Sequence, residues 1–184
     1  MKNSKKLIIL TGPSGVGKGT IVKKILDMDT NIWLSVSATT RKPREGEIDG
    51  NEYYFLSERL FKNMINKNQL IEWAKFAGNY YGTPLSSVNK KIEEGLIVLL
   101  EIEVEGARQI KKKFPESLSI FILPPSIKEL ERRIRNRGTE EEEAIKNRLC
   151  RANYEIESSG EFDFALTNKN IDVTVRRIIN IINS

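Results

Sequence analysis

The 184-residue chain has no histidine and a single cysteine, Cys150. Without an imidazole, the chain cannot use Ser–His or Cys–His catalysis, and it cannot bind a metal through histidine. One cysteine excludes an intramolecular disulfide bond and a zinc site made of several thiolates. Cys150 lies in a helical pattern, where we expect a packed or half-exposed thiol. Chemistry by this chain must therefore use carboxylates, lysine, arginine, hydroxyl groups and a metal ion.

Long hydrophobic runs are also missing. No apolar stretch approaches the ~20 residues of a transmembrane helix, and the stretch behind the basic N-terminal residues is shorter than the about 7–15 residues of a signal-peptide core. We therefore expect a cytoplasmic protein without a membrane partner. The composition, with 39% hydrophobic and 30% charged residues, is typical of a globular chain with one sizeable core.

The formal net charge of +5 raises the possibility of a nucleic-acid partner. However, the positive charges are spread along the chain and alternate with acidic runs such as residues 140–143. Lys111 to Lys113 close a helical segment, where cations suit the helix dipole. We therefore expect a solvated basic surface and no nucleic-acid partner.

The most specific pattern is a glycine-rich stretch between a strand-like and a helical segment. Glycines let backbone N–H groups turn towards a phosphate, the helix N-terminus adds partial positive charge, and a lysine adds a full charge. This context predicts a P-loop that binds nucleotide phosphates. Its residues are Gly12, Pro13, Ser14, Gly15, Val16, Gly17, Lys18, Gly19 and Thr20.

One position departs from the common P-loop pattern. Gly19 follows the lysine where a serine or threonine usually ligates Mg²⁺, and Thr20 comes one residue later. The order Gly-Lys-Gly-Thr resembles the loop of adenylate kinases and some other nucleoside monophosphate kinases. Two alternatives stay open: Thr20 reaches the metal or a phosphate, or Mg²⁺ keeps more of its waters and phosphate ligands.

Apolar strand-like runs alternate with helical patterns along most of the chain, which predicts an α/β fold around a buried, mostly parallel sheet. Ser126 and Thr139 each precede a glutamate by three residues, as in a capping box that opens a helix. The strand-like runs are Leu7–Leu10, Leu34–Ser37, Leu96–Ile102, Leu118–Leu123 and Phe162–Leu166. The helical patterns cover residues 18–28, 104–114, 126–137, 140–157 and 171–182.

Residues 36–83 differ from the rest, because they are polar, aromatic and rich in turns, with one amphipathic helix over Phe61 to Asn66. They predict a small mixed lobe inserted into a P-loop core of residues 1–35 and 84–184. Such a lobe suits a second substrate and a closing motion. The core would carry a helical lid over about residues 126–148, and the whole unit would span about residues 5–183.

Several further segments occur in the order found in one enzyme family. With the P-loop, they are residues 35–46, residues 49–53, Ile71-Glu72-Trp73, residues 78–83 and Arg137-Gly138-Thr139. Together these segments resemble the guanylate kinase family nearly from end to end. The resemblance implies a three-layer P-loop core with a lobe that binds a nucleoside monophosphate. It also implies transfer of the γ-phosphoryl group of ATP to GMP, with Mg²⁺, to give ADP and GDP.

The resemblance implies that Arg41 and Arg44 hold the phosphate of GMP, with hydrogen bonds from Tyr53 and Tyr81. Guanidinium groups match phosphate oxygens two at a time, which suits this role. The alternative from the residues alone is two surface arginines beside a turn-forming proline, Pro43.

For the guanine base, the resemblance implies contacts from Glu72, Ser37 and Thr83. An ionised carboxylate accepts hydrogen bonds only, so Glu72 can take the donors at N1 and at the exocyclic amine of guanine. Adenine has an acceptor at N1 and would leave this carboxylate unpaired. Without the surrounding motifs, Glu72 would be interpreted as the polar face of a short strand.

Phosphoryl transfer needs positioning and charge neutralisation more than covalent catalysis. By resemblance, Arg133 and Arg137 share one face of a lid helix, whereas Arg132 and Arg135 are expected to be solvated. Glu101 and Glu103 end an apolar strand and point to the same side, as candidates for assisting Mg²⁺ or binding GMP; the family usually has aspartates there. Asn168 matches an asparagine near the adenine of ATP. The implied catalytic residues are Lys18, Arg41, Arg133, Arg137 and Arg148.

Two other functions remain open at this point. A different nucleoside monophosphate could be the acceptor, and the Gly-Lys-Gly-Thr order is the only support for it. Guanylate-kinase-like domains of scaffold proteins bind peptides instead, but those domains typically lack a working P-loop. We expect a monomer or a weak homo-oligomer whose partners are the small molecules GMP and ATP.

Overall fold

Five parallel strands form the larger of two sheets in the computed structural model, which describes residues 6–76, 78–136 and 142–184. The strands are β1 (Leu7–Thr11), β2 (Ile32–Leu34), β3 (Ser37–Thr39), β4 (Tyr53–Phe55), β5 (Leu70–Phe76), β6 (Asn79–Pro84), β7 (Ile97–Glu101), β8 (Leu118–Leu123) and β9 (Phe164–Thr167). The helices are α1 (Lys18–Met28), α2 (Glu58–Asn66), α3 (Leu85–Glu93), α4 (Val104–Lys113), α5 (Ile127–Arg135), α6 (Glu142–Glu157) and α7 (Ile171–Ile182).

The five-stranded sheet has the order β2-β7-β1-β8-β9, and all its strands are parallel. β1 lies at its centre and is buried on both faces. Ile8 and Leu10 pack on one side with α1, α5, α6 and α7, whereas Leu7 and Ile9 pack on the other with α3 and α4. Helices cover both faces because the strands are apolar on both, so the predicted α/β three-layer core is confirmed.

The second sheet has the order β4-β3-β6-β5, with one parallel pair and two antiparallel pairs. All four strands come from residues 37–84, and Phe61 of α2 is fully buried beneath them. This sheet places its residues opposite the carboxyl ends of β1 and β7, where a parallel sheet presents ligand-binding groups.

The predicted strand Leu34–Ser37 is wrong as a single element. Residues up to Leu34 pair with β7, and Ser35 adds one backbone hydrogen bond to Leu99, of 2.9 Å. The chain then crosses to the second sheet, where β3 starts at Ser37 and pairs with β4 and β6. Apolar content alone does not distinguish one continuous strand from two strands that belong to different sheets.

Two helices differ from the sequence prediction. α3 was not predicted, although Leu85, Val88 and Ile92 face one side of it and pack against the core. α2 begins three residues before Phe61, because the Ser57 side chain accepts a hydrogen bond from the Leu60 N–H at 3.3 Å and caps the helix.

The predicted lid segment is described in part. Ser126 caps α5 by accepting a hydrogen bond from the Glu129 N–H at 3.1 Å, as the capping box predicts. The second predicted box, at Thr139, lies outside the described residues, as do Arg137 and Gly138. Cys150 is exposed on α6, rather than packed or half-exposed as predicted. No helix among the described residues is both long enough and apolar enough to cross a membrane.

Candidate active site

The glycine-rich loop connects β1 to α1 in the way that a P-loop requires. Gly15 and Gly17 have φ angles of 86° and 101°, a region that residues with side chains rarely occupy. Gly17 is also the N-cap of α1, so the unpaired N–H groups of the first turn begin directly behind the loop. The Lys18 ammonium donates hydrogen bonds to the carbonyls of Gly12 and Pro13, and Thr20 lies exposed in the first helical turn.

The carbonyl of Val16, inside the loop, accepts hydrogen bonds from two distant side chains. Nδ2 of Asn168 donates at 2.9 Å, and a guanidinium nitrogen of Arg133 donates at 3.2 Å. Asn168 is only 1% exposed, and its Oδ1 accepts a hydrogen bond from the Thr174 hydroxyl. Asn168 therefore braces the P-loop from the end of β9. A contact between Asn168 and adenine stays a prediction.

A cavity of about 590 Å³ separates the P-loop from the second sheet. It brings together residues that are up to 141 positions apart, from Ser14 to Glu155, contributed by both sheets and by α6. Of the predicted site residues, those that line this cavity are Ser14, Lys18, Ser37, Arg41, Arg44, Tyr53, Glu72, Tyr81, Glu101, Glu103 and Arg148.

Arg41 is held by a carboxylate that the sequence prediction did not include. Its two terminal nitrogens donate to the two oxygens of Glu47 at 2.9 and 2.8 Å, and Glu47 also accepts from the Arg44 N–H at 2.7 Å. These hydrogen bonds raise the pKa of Arg41 and lower that of Glu47. The guanidinium also lies 5.5 Å from the ring centre of Tyr53. Arg41 is therefore a fixed cation on the wall of the cavity.

The two predicted tyrosines lie beside this arginine. Their rings meet edge to face, with centroids 6.1 Å apart. Burial, and then the charge of Glu101, raise the pKa of Tyr53. A neutral phenol can donate a hydrogen bond to an anion, so Tyr53 suits a phosphate ligand.

Glu72 is a buried carboxylate on β5, only 4% exposed. β5 and β6 are antiparallel, and their register sets Glu72 opposite Thr83, whose hydroxyl donates to the carboxylate at 2.6 Å. Burial raises the pKa of Glu72 to about 7, although hydrogen bonds from Thr83 oppose the shift. Thr83 is fully buried behind Glu72, so it reaches the cavity through that carboxylate.

Glu101 is the last residue of β7 and Glu103 follows two residues later, and both line the cavity. Burial raises the pKa of Glu101, and the charge of Lys18 opposes that shift. Glu155 on α6 is buried beside Glu103, and its pKa is raised to about 7 by burial and then by the Glu103 charge. Glu155 was not predicted as a site residue, because it lies 52 positions from Glu103 along the chain.

Arg151 of α6 connects the two sides of the cavity. It donates to Glu155 at 2.7 Å and to Glu103 at 3.4 Å, and its guanidinium carbon lies 3.9 Å from the ring centre of Phe76 on β5. Such a cation–π contact contributes roughly 0.5–2 kcal/mol. Arg151 was not predicted as a site residue.

The arginines of α5 divide as the sequence predicts. Arg132 is exposed and pairs with Glu129, and Arg135 pairs with Glu131 and Glu142. Arg133 instead turns towards the P-loop and is held there by Glu129 at 2.8 Å. This face of α5 therefore lies against the P-loop, and a contact between Arg133 and the transferring phosphoryl group stays a prediction.

A P-loop on a parallel sheet, facing arginines, tyrosines and a buried carboxylate across one cavity, defines a P-loop kinase that moves a phosphoryl group between two nucleotides. Comparison with known proteins agrees with this class. The sequence model of the guanylate kinase family matches residues 4–184. The chain belongs to the guanylate kinase family, whose enzymes phosphorylate GMP with ATP to give GDP.

Individual relatives support the same assignment over the full length. The chain is 72% identical to a guanylate kinase of Prochlorococcus marinus strain MIT 9312 over 182 residues, which cover 99% of each protein. A guanylate kinase of Synechocystis is 51% identical over 96% of this chain and 93% of its own length. The crystal structure of a guanylate kinase from Anaplasma phagocytophilum matches with a TM-score of 0.81 and 33% identity, over 100% of this chain and 87% of that chain.

Proposed function

We propose that this chain binds ATP on the P-loop and GMP against the lobe of residues 36–83, and that it transfers the γ-phosphoryl group within the single cavity between them. The observation that supports this arrangement is the position of Lys18 and Arg41 on opposite walls of that cavity. Two anionic nucleotides can meet there only if fixed cations offset their repulsion.

At the acceptor end, Arg41, Arg44, Tyr53 and Tyr81 bind the phosphate of GMP, because they supply clustered donors on one wall. Glu47 uses the two terminal nitrogens of Arg41 and so holds its guanidinium in one orientation. Ser37 and Glu72 read the base, with Glu72 as the acceptor for guanine donors, and Thr83 holds that carboxylate from behind instead of contacting the base as predicted.

At the donor end, the P-loop amides and Lys18 hold the ATP phosphates, and Arg133, Arg137 and Arg148 neutralise the transferring group. Mg²⁺ favours oxygen ligands and keeps several waters, so it needs few protein groups. The exposed Thr20 hydroxyl and the Glu101 carboxylate near Lys18 fit such an ion. When bound, the ion supplies charge neutralisation at the β- and γ-phosphates. The substrates ATP and GMP also favour a cytoplasmic location, and a nucleotide cavity lined by residues of one chain favours a monomer or weak homo-oligomer.

The proposal is tested by a coupled assay that offers GMP, AMP, UMP and dTMP separately, with ATP and magnesium. We expect GMP to be the preferred acceptor. AMP as the better substrate would overturn the guanine assignment, and binding of nucleotides without turnover would favour a binding module.

An Arg41→Met variant is expected to raise KM for GMP about tenfold or more, because hydrogen bonds to charged groups contribute about 1.5–3 kcal/mol. KM for ATP should change little, since Arg41 lies on the acceptor wall. Steady-state kinetics with each substrate varied in turn would measure this difference. Arg59→Met, which removes an exposed arginine of α2, is the control; equal kinetics for the two variants would contradict the phosphate role.

GMP affinity is expected to rise with pH between about 6 and 8. The pKa of Glu72 is raised to about 7, so below that value its carboxyl group is protonated and loses an acceptor position. The dissociation constant should approach a tenfold rise for each pH unit below the pKa. Calorimetric titrations across this range measure the effect. In Glu72→Gln, only the pH dependence that comes from the phosphate of GMP, near pH 6, should remain. If the wild type and the variant show the same change of GMP affinity with pH, a group other than Glu72 causes it.

A further inference from the structure

Three residues of α4 contact three consecutive residues of β5. Gly106, Gln109 and Lys113 are three and four positions apart, so they share one face of the helix, and we name them the α4 stripe. They lie against Ile71, Glu72 and Trp73. Because β5 is an edge strand of its sheet, the outward backbone groups of these residues need partners from outside the sheet.

The α4 stripe supplies partners on both sides of Glu72. The Gln109 amide donates to the Trp73 carbonyl at 2.7 Å and accepts from the Trp73 N–H at 3.2 Å. It thus pairs with Trp73 in the way that a neighbouring strand would. The Lys113 ammonium donates to the Ile71 carbonyl at 2.6 Å. The backbone of both residues that flank Glu72 is therefore hydrogen-bonded to side chains of α4.

Gly106 gives the Glu72 carboxylate the space that it occupies. A Cβ atom at position 106 would lie 2.5 Å from Oε2 of Glu72, which is closer than atoms can approach. Thr83 holds Oε1 from the other side. A methyl group on residue 106 must therefore displace the carboxylate, which is the flexible end of a side chain, rather than the backbone of either element.

We propose that the α4 stripe is the positioning element for guanine recognition, and that it sets where the Glu72 carboxylate stands in the cavity. α4 follows β7, whose last residue Glu101 lines the same cavity. The stripe therefore holds the base-reading carboxylate to the core sheet, although Glu72 belongs to the other sheet. This inference rests on the proposed phosphorylation of GMP.

The first test is Gly106→Ala. GMP should bind about tenfold or more weakly in calorimetry, and kcat/KM for GMP relative to AMP should fall by a similar factor, because a misplaced carboxylate leaves donors unpaired. KM for ATP should stay within about twofold, because no P-loop contact changes. The tenfold loss of GMP binding corresponds to ~1.4 kcal/mol. Alanine favours a helix more than glycine does, so the unfolding temperature should not fall. Gly160→Ala is the matched control, because a Cβ there meets nothing within 4 Å.

The second test is Gln109→Ala, which removes both hydrogen bonds to Trp73 and leaves Glu72 unaltered. GMP should bind about fivefold more weakly or worse, with ATP binding unchanged. Lys112→Ala truncates an exposed side chain of the same helix and should bind GMP as the wild type does.

The outcomes separate this inference from the proposed function. If the wild type binds and phosphorylates GMP while Gly106→Ala and Gln109→Ala bind it equally well, the stripe has no positioning role and the proposed function stands. If the variants lose stability and bind ATP and GMP weakly alike, the stripe is merely structural and the inference is overturned. If the wild type neither binds nor phosphorylates GMP, the proposed function fails and takes the inference with it.

Discussion

A Lys18→Met variant is expected to lose turnover by about 10²–10³-fold, the usual effect of removing one donor to a transition-state anion. Lys18 follows the glycine-rich loop directly and lines the cavity opposite Arg41. Methionine is unbranched like lysine and only one atom shorter, and it removes the charge. GMP affinity should be nearly intact, because the acceptor residues lie on the other wall. Single-turnover kinetics and GMP calorimetry would measure the two effects separately.

Lys23→Met is the matched control for this substitution, because Lys23 is exposed on the same helix, one and a half turns away from the loop. It should retain full activity. The Lys18 charge also opposes the raised pKa of Glu101, so the Lys18 variant should protonate Glu101 at higher pH than the wild type does. Unchanged turnover in Lys18→Met would exclude its role at the phosphates.

A Glu72→Gln variant is expected to lose GMP selectivity by ~100-fold or more, because a site built to pair with donors strongly rejects a mismatch. The amide presents one acceptor and two donors where guanine offers donors. Measurement of kcat/KM for GMP and AMP would quantify the change. Glu52→Gln, at another carboxylate that lines the cavity, is the control. An unaltered GMP affinity would assign the guanine contact to another residue.

The same variant should be more stable than the wild type above neutral pH. The folded pKa of Glu72, about 7, is above its ordinary value of 4.5, so the folded state holds the proton more tightly. Stability of the wild type is therefore lost as pH rises from about 4.5 to about 7. Glu72→Gln carries no such loss, and thermal unfolding at pH 8 should show an increase of a few degrees, since ~1 kcal/mol corresponds to about 2–4 °C at this size. Below pH 4.5 the two proteins should converge.

The elements that could be predicted from the sequence are those whose signals are local. α1 and α7 have the predicted bounds, because the helical spacing of their apolar residues begins and ends where the helices do. The P-loop was predicted because its glycines, its lysine and its helix are contiguous. α3, which lies between the lobe and β7, was not predicted, although its apolar residues have helical spacing. The predicted strand over Leu34–Ser37 failed because sheet membership is not a local property.

The candidate site shows the same division. Arg41, Glu72 and Tyr81 were found through motifs that resemble a family, and the structure sets them on one cavity. Glu47 was missed, although it follows Arg41 by only six residues, because nothing in the sequence distinguishes it from other loop carboxylates. Arg151 was missed because its contact with Phe76 joins segments 75 positions apart.

The sequence by itself determined the phosphate loop and the parallel core, because these depend on patterns within short stretches of chain, and the kind of reaction followed from the resemblance of its motifs to a known family. Only the tertiary structure decided which carboxylate holds Arg41, which side chains brace Val16, and how α4 fastens the strand that carries Glu72. The physical reason is that hydrogen bonds and steric fit act between atoms a few ångströms apart. Folding brings those atoms together from positions that no local pattern connects.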